Sequence, residues 1–225
     1  METLSHSGRR NERIDLEPIT DPDEEVLKAL VDGEGIIRNF IQPDLAIKTG
    51  NSLSLLIPHE DTVGIPIVTD ADYLPDEHDL PVSDQIKQEI YKAEVLFAAL
   101  LSRVSGIDAD TLPVMSTEVI KYLGDEGMKW HFDNSSIVDT NPDPSLKDIG
   151  VLNGVLTLKG SAIYFYKDSD TQKVHRLEVG PGTLVITRAG DIDDLPQIEH
   201  AVSAPLGEDK ERVALLMTLS KHLAE

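Results

Sequence analysis

The sequence predicts a mainly β protein with flanking helices, and three observations support this fold class. After residue 115, about eight short apolar segments follow one another, several alternating apolar with polar residues, which is typical of strands. Gly, Pro and Asp clusters separate these segments at turns. A long amphipathic helix precedes them, so two packed sheets or a squat barrel are expected. The predicted strands are 116–123, 128–133, 151–158, 161–167, 174–179, 183–188, 198–204 and 211–220.

The chain is predicted to have one folded domain that follows a flexible N-terminal segment. Residues 1–20 are polar and expected to be flexible. The remaining residues, 21–225, have the length of a single domain with a sizeable core. Within this domain, a preface of helices and short strands (21–114) leads into a β core (115–220).

Two helices are predicted in the preface. Asp21 is followed by proline and acidic residues, a pattern typical of the N-terminus of a helix. It predicts a short helix over residues 24–31 that ends near Gly33. The strongest helical periodicity begins at Ser83 or Asp84 and continues to about residue 104.

The segment between the two helices, residues 35–82, mixes short apolar runs with Pro and Gly. It is expected to form short strands and loops, including the apolar runs Leu53 to Ile57 and Val63 to Val68.

Composition limits the classes of function. The chain has 225 residues, 40% of them hydrophobic, no cysteine and a net charge of −21. Without cysteine it has no thiolate metal site or catalytic thiol. No apolar run is long enough for a membrane span, and the N-terminus has no apolar secretion signal, so we expect a cytoplasmic protein.

The large negative charge argues against nucleic acid and anionic membranes as partners, because both require basic surfaces. The charge has two interpretations. It serves solubility, or it attracts a cationic small-molecule substrate.

A possible metal site is formed by His131, Asp133 and His200. The first two are two residues apart, so on a strand they lie on the same face. The second histidine lies on a later predicted strand and can complete a three-ligand set. Two imidazoles and a carboxylate with open positions suit Fe(II), although zinc, manganese and nickel also accept these ligands.

The C-terminal half resembles the Fe(II)/2-oxoglutarate-dependent dioxygenases, in particular the AlkB-like proteins and related small-molecule hydroxylases. The resemblance covers residues 115–220 and is carried by five segments, namely Glu118-Val119-Ile120-Lys121-Tyr122, Trp130-His131-Phe132-Asp133-Asn134, Gly182-Thr183-Leu184-Val185-Ile186, His200-Ala201-Val202 and Glu211-Arg212-Val213-Ala214. It implies a double-stranded β-helix core (jelly-roll, cupin-like) with iron at one mouth.

The resemblance also implies roles for single residues. His131, Asp133 and His200 would bind Fe(II), while Arg212 and Tyr122 would bind the distal carboxylate of 2-oxoglutarate, which is consumed together with O2. Because Asp133 keeps its carboxylate, hydroxylation, desaturation or demethylation is favoured over halogenation.

Two further residues, Trp130 and Asn134, adjoin the ligands and are candidates for substrate contact. Strand alternation directs Trp130 away from His131, so packing in the core is its alternative role. By the same alternation, the side chain of Asn134 would point to the opposite face of the strand from that of Asp133.

The sequence departs from the AlkB-type repair enzymes at three positions. Ile120 stands where they usually carry asparagine, and Ala214 and Thr218 stand where they carry a polar residue and a second arginine. These departures and the charge favour an oxygenase that hydroxylates an unactivated C–H bond of a small metabolite, such as an amino acid or a natural-product intermediate. The alternatives are an oxygenase or demethylase acting on protein or alkylated nucleic acid, and a metal-binding β-barrel without oxygenase activity.

Overall fold

A computed structural model describes residues 21–57, 65–67, 80–106, 115–125, 127–133, 151–168, 171–189, 198–208 and 210–219. The segment 1–20, predicted to be flexible, lies outside these ranges. No helix within them is both long and apolar enough to cross a membrane.

Ten strands form two antiparallel sheets in the described part of the chain. Their bounds are β1 Glu34–Ile37, β2 Ile65–Ile67, β3 Met115–Leu123, β4 Met128–His131, β5 Val151–Lys159, β6 Ala162–Lys167, β7 Val174–Val179, β8 Leu184–Ala189, β9 His200–Val202 and β10 Glu211–Leu219. All eight strands predicted after residue 115 are confirmed, with shifts of at most two residues at their ends.

The strands divide into a major and a minor sheet. The major sheet has the order β1-β8-β5-β10-β3-β2, and the minor sheet has the order β4-β9-β6-β7. From β3 onward, the chain passes between the two sheets in the sequence of a double-stranded β-helix. The predicted fold class is therefore confirmed.

Three helices precede the β-helix: α1 Pro22–Asp32, α2 Pro43–Ser54 and α3 Asp84–Ser105. The first and third match the prediction closely. Asp21 caps α1 through its side chain, and Ser83 caps α3 in the same way. Gly106 ends α3 in the left-handed conformation, which explains why the helix stops there.

Helix α2 was not predicted, and the expectation of short strands and loops is wrong for residues 43–54. Its sequence includes Thr, Gly, Asn and Ser, which are poor helix formers. Packing on the sheet holds the helix instead. A Cβ atom on Gly50 would lie only 3.0 Å from the backbone of Leu158 in β5, so α2 packs against this strand at a distance that only glycine permits.

The main core lies between the helices and the outer side of the major sheet. Its fully buried members include Phe97 from α3, Leu156 from β5 and Leu215 from β10. A smaller apolar cluster fills part of the space between the two sheets, formed by Ile36, Ala162, Tyr164, Val179 and Val185. The inner faces of the sheets therefore leave room for polar side chains around this smaller cluster, and the candidate site is built from them.

Candidate metal centre

The three predicted metal ligands converge. His131 and His200 are opposite each other on β4 and β9, and their ring centroids are 4.3 Å apart. Asp133 follows two residues after His131, and its Oδ1 lies 3.4 Å from the Nε2 atom of each histidine. One ligand atom from each residue lies within 4.8 Å of the others. Residues 69 positions apart in the chain thus reach a single point because β4 and β9 are paired.

The hydrogen bonds of the two imidazoles prepare them to bind a metal. His131 Nδ1 lies 2.7 Å from the carbonyl oxygen of Lys129, and His200 Nδ1 lies 3.0 Å from that of Ile198. A carbonyl only accepts, so each Nδ1 carries the proton and donates it. In the neutral ring, Nε2 then carries the lone pair that a metal would bind, and in the protonated ring Nε2–H donates to Asp133.

The charges of the site also suit a cation. Burial opposes ionisation of Asp133, but hydrogen bonds with His131 and His200 outweigh it and the pKa of Asp133 is lowered far below its usual range. The hydrogen bond with Asp133 raises the pKa of His131. The site therefore holds an ionised carboxylate between two imidazoles, a set of donors that binds Fe(II) and related divalent metals.

A row of polar side chains across the major sheet supports the carboxylate. Thr187 in β8 donates a hydrogen bond of 2.7 Å to Oδ2 of Asp133. Its cross-strand neighbour Asn153 in β5 also bonds to Asp133 and accepts a hydrogen bond of 2.9 Å from Thr218 in β10. Partners of this kind fix the orientation of a ligand and tune its affinity for metal.

Arg212 and Tyr122 form a second polar group on the inner face of the major sheet. They are opposite each other on β10 and β3, and the Arg212 guanidinium carbon lies 5.3 Å from the centre of the Tyr122 ring. Arg212 is 2% exposed, donates a hydrogen bond of 3.0 Å to the hydroxyl of Thr157 and also hydrogen-bonds with the side chain of Tyr122. Burial raises the pKa of Tyr122 above its usual value. The Arg212 guanidinium opposes this rise, and the charge of Asp133 adds to it.

The donors of Arg212 are only partly used. Its Nε and Nη1 atoms are buried and have no hydrogen-bond partner within the described residues. An uncompensated buried guanidinium is costly, and burial lowers the pKa of Arg212 accordingly. A carboxylate that accepts two parallel hydrogen bonds would satisfy these atoms, so the residues present fit a dicarboxylate co-substrate.

The structure does not place Trp130 in the core. The side chain points away from His131, as strand alternation requires, but it lies on the outer face of the minor sheet and is 41% exposed. It contacts Phe165 and the ammonium group of Lys167 there. The expectation of core packing is wrong because the described helices cover the major sheet and not this face. Asn134 lies outside the described residues.

Several inner-face residues were missed by sequence reasoning. Thr187 and Asn153 support the metal ligands, and Tyr164, Tyr166 and His175 form an aromatic wall on the minor sheet beside His200. His175 is half-buried and stacks on Tyr166 with a centroid distance of 4.7 Å. Strand alternation was the only sequence feature that concerned these residues, and it does not reveal which strands pair with each other.

No protein-family model matches the chain, and no curated protein matches it. The similarity lies in the fold. A prolyl-4-hydroxylase from Pseudomonas putida matches with a TM-score of 0.59 and 14% identity, over 91% of this chain and 95% of that one. The dioxygenase for auxin oxidation 1 from Arabidopsis thaliana, in complex with 2-oxoglutarate, matches with a TM-score of 0.58 and 16% identity, over 93% and 92%.

HygX from Streptomyces hygroscopicus, with nickel and 2-oxoglutarate bound, matches with a TM-score of 0.56 and 12% identity, over 89% of this chain and 87% of that one. The resemblance read from the sequence is thus confirmed at the level of the fold. This chain has the fold of the Fe(II)/2-oxoglutarate oxygenases, and its His-Asp-His cluster lies between the two sheets of that fold.

Proposed function

We propose that this protein is an Fe(II)- and 2-oxoglutarate-dependent oxygenase that hydroxylates a C–H bond of a small molecule. One observation carries the proposal: two imidazole Nε2 atoms on the minor sheet face one ionised carboxylate, and the inner face of the major sheet carries a buried arginine whose Nε and Nη1 atoms have no partner among the described residues. The likeness to solved oxygenases that bind 2-oxoglutarate supports it.

The residues divide into two groups by role. His131, Asp133 and His200 hold the metal, and Arg212, together with Tyr122, holds the distal carboxylate of 2-oxoglutarate. When bound, Fe(II) supplies the activation of O2, coupled to conversion of 2-oxoglutarate into succinate and CO2, so that a substrate C–H becomes C–OH.

The chain's own residues prepare this reaction by fixing positions and charges. The Nδ1–H bonds to the Lys129 and Ile198 carbonyls prevent the imidazole rings from rotating. Thr187 holds Asp133 on the side of its Oδ2 and leaves Oδ1 facing the histidines. With three protein ligands, a bound metal would keep positions for co-substrate and O2.

The buried guanidinium provides orientation. Arg212 is held from one side by the Thr157 hydroxyl and from another by the Tyr122 ring. The planar guanidinium group therefore has a fixed orientation and binds a carboxylate in one geometry. A hydrolytic metal protein has no use for such a group, which argues for an oxygenase over a metal-binding barrel without this activity.

A protein side chain is the second candidate substrate class. The likeness to a prolyl-4-hydroxylase supports it. The two classes differ in the test below, because a peptide panel and a metabolite panel are assayed separately.

The experiment is an anaerobic titration with Fe(II) and 2-oxoglutarate, followed by visible absorption, and then succinate release in air over metabolites and peptides. Wild type should develop a visible absorption band on forming the complex, and Asp133→Ala should not. Arg212→Met should need much more 2-oxoglutarate, whereas Arg176→Met, which removes an exposed arginine on β7, should behave as wild type. A protein that forms no band and releases no succinate would contradict the proposal.

A further inference from the structure

Two buried polar atoms lie near the metal ligands and have no part in the roles assigned so far. Glu34 is 2% exposed and Tyr164 is 3% exposed. The Oε1 atom of Glu34 and the hydroxyl of Tyr164 have no hydrogen-bond partner within the described residues. Buried polar groups are nearly always paired in native proteins, so both atoms are available to a ligand.

Register places Glu34 close to the metal site. On the edge strand β1, Glu34 is directly opposite Thr187 in β8. Opposite residues of an antiparallel pair project from the same face, and the Thr187 hydroxyl bonds to Asp133 at 2.7 Å. Glu34 therefore continues the polar row of the major sheet, one strand beyond the residue that supports the metal-binding carboxylate.

Tyr164 lies across from this row, on the minor sheet. Its ring centroid is 5.7 Å from that of His200 and 6.0 Å from that of Tyr166, which in turn stacks on His175. Burial raises the pKa of Tyr164 well above its usual value, and the charges of Glu34 and Asp133 add to this rise. The phenol ring belongs to an aromatic wall beside His200 and packs in the same buried cluster as Ile36, which lies two residues after Glu34 on β1.

A buried carboxyl group beside aromatic rings is suited to a protonated amine. The carboxylate supplies an acceptor and a charge, and the ring faces attract a cation. Burial raises the pKa of Glu34 to about 8, a rise that Lys28 opposes and Glu25 increases. An ammonium group next to Glu34 favours its ionised form, and the net charge of −21 attracts cations to the protein as a whole.

We propose that Glu34 and Tyr164 form a substrate subsite that binds the ammonium group of an amine, on the side of the metal centre formed by β1 and β6. The proposal rests on the proposed function for its biological meaning, because it names the substrate class of that oxygenase. Arg212 serves the anionic co-substrate, and Glu34 serves the cationic substrate.

The test measures binding to the full chain without added metal, by ligand-observed NMR with two probes of equal chain length: pentylamine and pentan-1-ol. Wild type should bind pentylamine about tenfold more tightly than pentan-1-ol. Glu34→Gln, which keeps the shape of the side chain, should lower the affinity for pentylamine about tenfold and leave that for pentan-1-ol unchanged. Tyr164→Phe should lower the pentylamine affinity by a smaller factor.

The matched control is Glu178→Gln, which removes an exposed carboxylate on β7 and changes the net charge by the same amount. It should retain the preference for pentylamine. Equal binding of pentylamine and pentan-1-ol to wild type, or full pentylamine affinity in Glu34→Gln, would overturn the subsite. Failure of the proposed function is a separate result: the visible band and succinate would then be missing while the preference for pentylamine persisted.

Discussion

The hydroxyl of Thr187 donates a 2.7 Å hydrogen bond to Oδ2 of Asp133, although the two residues lie 54 positions apart in the chain. This contact joins the major sheet to the segment just after β4, which carries one of the proposed metal ligands. Since Oδ2 is engaged, Oδ1 is the oxygen that faces His131 and His200.

Removing this hydroxyl should weaken metal binding. Thr187→Val keeps the shape of the side chain but lets the carboxylate rotate, so we expect about a tenfold loss of Fe(II) or Ni(II) affinity in an anaerobic calorimetric titration. Thr187→Ser should retain the affinity. Thr183→Val is the matched control, since Thr183 is a buried threonine just before the same strand. Unchanged affinity in Thr187→Val would show that the contact does not orient the ligand.

Arg212 should be a functional residue that does not stabilise the unbound fold. Its buried Nε and Nη1 atoms have no partner in the part of the chain that the structure describes, so Arg212→Met should unfold at the same temperature as wild type or above it when no ligand is present. 2-Oxoglutarate should raise the unfolding temperature of the wild type and not of the variant, because only a ligand that binds the folded state stabilises it. The measurement is thermal unfolding with and without 2-oxoglutarate. A marked drop in the ligand-free unfolding temperature would assign Arg212 a structural role instead.

The buried ion network around Glu211 should stabilise the junction of α2 with the major sheet. Its carboxylate lies 2.6 Å from Lys159 Nζ and 3.4 Å from Lys121 Nζ, and it accepts a hydrogen bond from Ser54. Lys121 is 2% exposed, so Glu211→Gln leaves a buried cation uncompensated and should cost about 3 kcal/mol in the free energy of unfolding. Urea unfolding measures this cost, with exposed Glu208→Gln as the control.

The same network predicts a pH dependence. Burial opposes ionisation of Glu211, but hydrogen bonds and charges from Lys159, Ser54 and Lys121 outweigh it and lower the pKa of Glu211. Its contribution is therefore complete above the usual carboxyl pKa of 4.5 and is lost as the pH falls through the lowered value. The difference between wild type and Glu211→Gln should shrink in that acidic range. A difference that stays constant with pH would contradict the role of the charge.

Glu34 predicts the opposite dependence. Its pKa is raised from 4.5 to about 8 by burial, so the folded protein holds a proton that the unfolded chain has released. Stability should then fall as the pH rises from 4.5 to about 8, by on the order of 1 kcal/mol per pH unit. Glu34→Gln should be free of this decline, and Glu178→Gln should show it unchanged. Parallel stability profiles for wild type and Glu34→Gln would refute this account of Glu34.

The sequence was sufficient for the strands because their pattern is local. Alternation and turn residues located the β segments, and the spacing of His131 and Asp133 put both side chains on one face. Helix α2 could not be predicted in this way, since its residues 49–52 have low helix propensity and its stability comes from contact with β5.

Trp130 illustrates a second limit. Alternation correctly directs it away from His131, but it does not tell which face of a sheet the rest of the chain covers. Glu34 illustrates a third limit, because its proximity to Asp133 depends on the pairing of β1 with β8, two strands separated by about 150 residues. Long-range pairing is a property of the packed sheets and leaves no local pattern.

The most direct test of the central claim is a crystal structure of the protein with Fe(II) and 2-oxoglutarate, prepared without oxygen, with an anomalous difference map recorded at the iron edge. One anomalous peak should lie within bonding distance of His131, Asp133 and His200, with 2-oxoglutarate on the metal and its distal carboxylate on Arg212. A peak elsewhere, or a metal closed by four protein ligands with no position for a co-substrate, would contradict the account.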